Sequence, residues 1–214
     1  LWNPMTGEDI RTLITSDLVT SWTFALSHDG TQFLTADNTT ITLWDVATGT
    51  QLNPFKGFAG QLMKMEFSPD DSMIVVTGFG GQADVMLWES ATGTPLHQFN
   101  LASAANVQRV GFNPVVFTPD SNHVIVGGRD GRLYLWDVIT GEEEARYQFV
   151  HNHAVTALAL SPDGQYLVTG DFMGNVHIMD ATTGFESRQY SADEGSVREI
   201  VFSADGTTAI LIFG

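Results

Sequence analysis

Cysteine is absent from all 214 residues, which removes disulfides, thiolate metal sites and cysteine nucleophiles together. Basic residues are scarce: nine Lys and Arg stand against 25 Asp and Glu, for a formal charge of -16, and the lysines are Lys56 and Lys64. A phosphate backbone needs clustered Lys and Arg, so nucleic acid is not an expected partner. The acidic field suits solubility, or the selection of a basic protein or peptide. Long apolar runs are also missing. The longest, Ala209 to Phe213, is far too short to span a bilayer, so no membrane partner is expected. No basic leader precedes the first motif, which points to a cytoplasmic protein, although the chain opens in mid-motif like a cut through a longer polypeptide. Catalytic signatures are thin. There is no Gly-x-Ser-x-Gly elbow. The Gly-rich stretches TGFGGQ (77–82) and GGRDG (127–131) are followed by no helix and closed by no Lys-Ser/Thr. Neither a cofactor nor an enzymatic activity is expected.

What is present is a repeat. LYLWDVITG (133–141) recurs as ITLWDVATG (41–49), VMLWESATG (85–93) and the weaker VHIMDATTG (176–184), and a truncated copy, LWNPMTG, opens the chain. The closing glycines Gly7, Gly49, Gly93, Gly141 and Gly184 are spaced 42, 44, 48 and 43 apart. Units of this length with a Trp-Asp ending predict four-stranded blades of a β-propeller. Each unit carries an apolar stretch ending in a turn, as in FALSHDG (24–30) and LALSPDG (158–164), where Ser, Pro, Asp and Gly are turn formers. A β-rich run such as MIVV (73–76) follows, then a variable turn, the Trp-Asp strand, a Thr-Gly turn and a polar strand. Inner strands covered on both faces read as continuous apolar runs, while the outermost faces water. Trp44, Trp88 and Trp136 are expected to fill the space between blades.

The expectation is an all-β chain forming one domain over 1–214. Its blades fall near 20–58, 61–101, 106–150 and 155–190, and 197–214 and 1–14 supply a partial or composite fifth. Joining the ends would close a five-bladed ring. Most of one strand would then be missing, which favours a portion of a larger propeller. The third unit is the longest, and Pro114 predicts a bulge or interruption in its first strand.

These residues resemble the WD-repeat β-propeller family over essentially the whole chain. The resemblance implies a hydrogen-bonded set in each blade: a His, a Ser or Thr, an Asp and the Trp. No unit matches it fully. His151 stands at the His position of the fourth blade with Thr169 available, but Met179 replaces the Trp and Met173 stands where the Asp belongs. The third blade has Asp130 and Trp136 without the His; Asn38 and Gln82 replace the Asp in the first and second.

The Ser-Pro-Asp-Gly and Thr-Gly turns share one end of the blades and hardly vary. Turns at the opposite end differ in every unit, as do the loops between blades, FKGFAGQ (55–61) and VHNHA (150–154) among them. Variable loops on a rigid scaffold are where recognition is expected. The predicted function is therefore a non-catalytic protein-interaction scaffold, with Phe58, Phe79, Arg129, His153 and Phe172 as anchors, because aromatics and Arg dominate interface hot spots. His151 and His153, two apart in a predicted strand, could meet Asp171 as a metal set. One packing and one solvated histidine is the preferred reading. Asp70 and Asp71 fit turn formation better than acid–base work. Asn38-Thr39-Thr40 matches a glycosylation sequon. The alternatives are a regulatory segment fused to a catalytic domain, or a propeller enzyme resembling the quinone-cofactor dehydrogenases. The repeated Asp-x-x-Thr-Gly turn suggests the latter, but in that family a Trp follows the turn, and none follows here.

Overall fold

Antiparallel β-sheet is the only regular architecture of the described residues, which in this computed structural model are 5–9, 23–36, 40–55, 57, 58, 60–79, 84–101, 114–192 and 195–214. The sequon residues Asn38 and Thr39, as well as Gln82 and the 102–113 stretch, lie outside them. The first sheet is β1 (Phe24–Leu26), β2 (Gln32–Ala36), β3 (Ile41–Asp45) and β4 (Gln51–Phe55), in sequential order. The second repeats it with β5 (Gln61–Phe67), β6 (Met73–Phe79), β7 (Val85–Glu89) and β8 (Pro95–Phe99). The third comprises β9 (Val115–Phe117), β10 (His123–Gly127), β11 (Arg132–Asp137) and β12 (Glu143–Val150), and the fourth β13 (Val155–Leu160), β14 (Tyr166–Asp171), β15 (Asn175–Asp180) and β16 (Glu186–Ser191). A fifth has two strands, β17 (Val197–Phe202) and β18 (Ala209–Phe213). Successive sheets meet through their first strands, β1 against β5, β5 against β9, β9 against β13 and β13 against β17. This is the radial arrangement of propeller blades.

Side-chain alternation makes each sheet two-sided. In β6, Ile74 and Val76 pack towards the first sheet with Leu34, Leu43 and Phe67, whereas Val75 packs towards the third with Val124 and Val126. Both faces are covered, which is why the strand reads as an unbroken apolar run. The outermost β16 is exposed along its whole length, and its sequence is correspondingly polar. The first two seams between sheets are aromatic. Trp88 is fully buried and meets Phe55 edge-on at 6.1 Å, while Trp136 stacks on Phe99 at 4.5 Å. Met179, buried at the same position of the fourth sheet, packs with Leu133 and Ile125 of the third. Each of these side chains faces the preceding sheet. Trp44 departs from the expected buried filler: it is only half-buried, donating its indole N–H to Thr35 Oγ1 at 2.8 Å. Leu34 and Leu43 turn towards the second sheet, so alternation sends Trp44 the other way, on the side where Phe24 and Leu26 are exposed.

The uniform turns owe their sequence to internal hydrogen bonds. In the first, Ser27 Oγ donates to Asp29 Oδ1 and accepts from the Gln32 N–H, and Ser68/Asp70, Thr118/Asp120, Ser161/Asp163 and Ser203/Asp205 repeat the arrangement. The Thr31 N–H and the Ser27 hydroxyl hold the Asp29 carboxyl below its usual range, and the Ser161 and Ser203 hydroxyls do so for Asp163 and Asp205, Asp205 at about 2. Asp45, Asp137 and Asp180 likewise accept the N–H of the Thr three residues on. The carboxylates are turn caps. Gly30, Gly164 and Gly206 close their turns with φ near +70°, but Asp71 and Ser121 occupy the same left-handed region without being glycine. Asp71 uses its position to reach the first sheet, accepting from the backbone N–H groups of His28 and Asp29 and standing 3.0 Å from His28 Nδ1. Pro114 immediately precedes β9, whose three residues begin only after it, and its carbonyl accepts from the Gly127 N–H.

Candidate functional site

Backbone bonding at the variable end of the sheets strings the loops of the third and fourth units into one band, which a ring contact from Arg129 extends to the second unit. The β10–β11 turn accepts the His151 N–H at Gly131 and the Val155 N–H at Gly128, and the 151–154 connection accepts the Phe172 N–H at Ala154. Gly131 sits so closely under this connection that a Cβ there would collide with the His151 carbonyl, at a φ of +82°.

Four of the five expected anchors lie on this band. Arg129 holds its guanidinium 5.0 Å from the centre of the Phe79 ring, joining the third unit to the second by a cation–π contact. Two guanidinium nitrogens, Nε and Nη2, are buried without a hydrogen-bond partner among the described residues. His153 exposes 47% of its side chain and Phe172 is 43% exposed. Phe58 is a correction. It is buried at 6%, packed with Phe55, Leu62 and Trp88, and its ring fills the space where Gly78 lacks a side chain. It is a core residue, packed into the seam between the first two sheets. Sequence reasoning missed Met173, which is 54% exposed beside Phe172 and widens the apolar part of the band. Read only as a displaced Asp, it gave no other signal.

Beneath the band lies a buried polar cluster. His151 Nε2 is 2.8 Å from Thr169 Oγ1, and His151 Nδ1 is 3.4 Å from Asp171 Oδ2. The carboxylate expected to be missing from the fourth blade is thus supplied from two residues earlier in the chain, a second correction. The strand-end Asp171 is 1% exposed and accepts the N–H groups of Met173 and Asn175 and the Asn175 amide. Burial alone would raise its pKa, but these donors and His151 hold it below the usual range. His151 has a fully buried side chain with the His177 ring edge-on at 4.5 Å. Burial, reinforced by His177, pushes its pKa down to about 4 against the opposing pull of Asp171. His177 in turn approaches Glu186 Oε1 at 3.3 Å. His153 Nδ1 is 3.6 Å from Asp171 Oδ2, so one carboxylate oxygen faces both histidines. Both histidines lie in the bend before β13 rather than in a strand, one packed and one solvated. In the third blade Asp130 takes a different partner from the expected set, accepting from the Tyr134 hydroxyl at 2.8 Å and the Arg132 N–H. Tyr134 stacks on Trp136.

Comparison with known proteins agrees with this geometry. The WD domain, G-beta repeat family matches residues 95–137 and 144–178. Serine-threonine kinase receptor-associated protein of Bos taurus is 28% identical over 117 residues, 55% of this chain and 30% of that protein; its Mus musculus counterpart is 28% identical over 120 residues, 56% and 31% respectively. Human Protein Atg16l2 is 50% identical over 44 residues, 21% of this chain and 7% of that protein. The match to the first two therefore spans about a third of their length.

Proposed function

We propose that this chain, an all-β array carrying WD repeats, is a non-catalytic protein-interaction scaffold that docks its partner on the variable-loop band. The observation that supports the reading is that Arg129, His153, Phe172 and Met173 lie on two turns and a connection joined by backbone hydrogen bonds, with Phe79 beside the Arg129 guanidinium, over a buried polar floor. Rigid loops presenting aromatic and Arg side chains lose little entropy on docking. The name of the serine-threonine kinase receptor-associated relatives is in keeping with a protein partner. A formal charge of -16 favours a partner with basic surface around its anchor. Nucleic acid is a poor match to that charge, and no helix among the described residues is long and apolar enough to cross a membrane. A cytoplasmic setting fits the partner class proposed.

The array also has unsatisfied ends. Phe24 and Leu26 are exposed beside Trp44 at one side, and Val201, Ile210 and Ile212 at the other. Faces of this kind are buried between all other neighbouring sheets, so a larger or composite ring covering both is part of the proposal.

The test is capture of binding partners by the wild type and by a Phe79→Ala/Phe172→Ala pair, with Ile139→Ala, exposed at 78% in the opposite turn, as control. Loss of a captured protein in the pair alone, with circular dichroism unchanged, supports docking on the band. Equal capture by all three rejects that face.

A further inference from the structure

At the end of the third sheet opposite the variable loops, three strands bring one imidazole and two carboxylates together. His123 opens β10, Asp137 closes β11 and Glu144 is the second residue of β12. One donor atom from each lies within 4.8 Å of the others, and His123 Nε2 is 3.0 Å from Glu144 Oε2. The backbone accounts for this convergence. His123 and Asp137 are direct partners across β10 and β11. Between the pairs Leu135–Ala145 and Trp136–Glu143 the β11–β12 ladder skips a residue, and the one left over is Glu144. A bulge re-aims the side chain it carries.

The fold does not impose the trio. An irregularity occurs at the same point of the other three complete sheets, where the extra residue is Leu96 in the second and Ser187 in the fourth, and falls at 52–53, Leu-Asn, in the first. The strand partners equivalent to His123 and Asp137 are Gln32 and Asp45, Met73 and Glu89, and Tyr166 and Asp180. The acidic member recurs because the Thr-Gly turn needs it: Asp137 Oδ1 accepts from the Ile139 and Thr140 N–H groups. Neither His123 nor Glu144 answers to any such demand, and at these equivalent positions of the described sheets only the third combines a histidine with two carboxylates.

We propose that His123, Asp137 and Glu144 form a binding site for a divalent transition-metal ion, of which zinc is the best match. Two carboxylates balance the charge of the ion, and an imidazole nitrogen suits zinc, whereas calcium and magnesium take oxygen ligands throughout. Three protein ligands leave a coordination position open. His123 and Glu144 also line a cleft of about 470 Å³ between the third and fourth sheets, with Asp120, Tyr147 and Leu160. The cleft beside these two ligands has room for a water or a further donor group. The site is remote from the variable-loop band, and it stands or falls independently of the partner reading.

The experiment is calorimetric titration of zinc chloride into chelator-treated, tag-free protein, with circular dichroism as the check on folding. The expected result is one zinc per chain, with affinity reduced about tenfold or more in His123→Ala and in the near-isosteric Glu144→Gln, and unchanged in His153→Ala. Absence of saturable uptake by the wild type overturns the proposal. So does uptake that survives both variants undiminished, or uptake lost in His153→Ala.

Discussion

Between pH 6.5 and about 4, His151 should make this protein sensitive to acid. Its imidazole is buried between Thr169, Asp171 and the edge of His177, and titrates at about 4 in the folded chain against 6.5 for an ordinary histidine. The folded state therefore binds fewer protons than the unfolded state between those two values, and stability falls as pH drops through that window. At pH 5 the unfolded imidazole is almost wholly charged and the folded one almost wholly neutral, so the loss relative to pH 8 amounts to about 2 kcal/mol. His151→Gln keeps a group able to bond Thr169 but cannot titrate. Urea midpoints of wild type and variant at pH 8 and pH 5 isolate the contribution, because the remaining groups titrate in both proteins. The wild type should lose about 2 kcal/mol more than the variant over this interval. Parallel losses in the two proteins would refute the assignment of His151 as the acid-sensitive group.

Other perturbations follow from the seams and turns. Trp136→Ala empties the space against Phe99 and Tyr134 and should cost about 3–5 kcal/mol in denaturant unfolding. Gly131→Ala combines a left-handed backbone with a collision against the His151 carbonyl; thermal melting should fall sharply, by more than the roughly 1 kcal/mol expected for a glycine replaced at an open turn. Asp71→Ala removes the carboxylate that accepts from the His28 and Asp29 backbone across two sheets. It should cost about 1–2 kcal/mol, seen as a lower unfolding midpoint.

Architecture was legible in the residues because each unit states its environment. The run MIVV announces a strand covered twice, and Ser-x-Asp announces a turn whose hydroxyl and carboxylate bond each other. The gathering of variable turns and inter-sheet loops at one end was legible too, since topology alone puts them there. Individual roles were less so. Phe58 looks like any loop aromatic until its ring is seen packed with Leu62 and Trp88. Asp171 replaces a carboxylate expected at 173 by reaching His151 from a neighbouring strand position, a substitution in space that linear spacing does not encode. The trio of His123, Asp137 and Glu144 is scattered over 22 residues and is assembled by a ladder irregularity invisible in one dimension.

The central claim, a rigid stack of sheets docking its partner through the variable-loop band, is tested most directly by hydrogen exchange of the chain with and without a captured partner. Slowed exchange at 129–131, 151–154 and 171–174, with 118–121 and 138–141 unaffected, is the predicted result. Protection confined to those latter turns would contradict it.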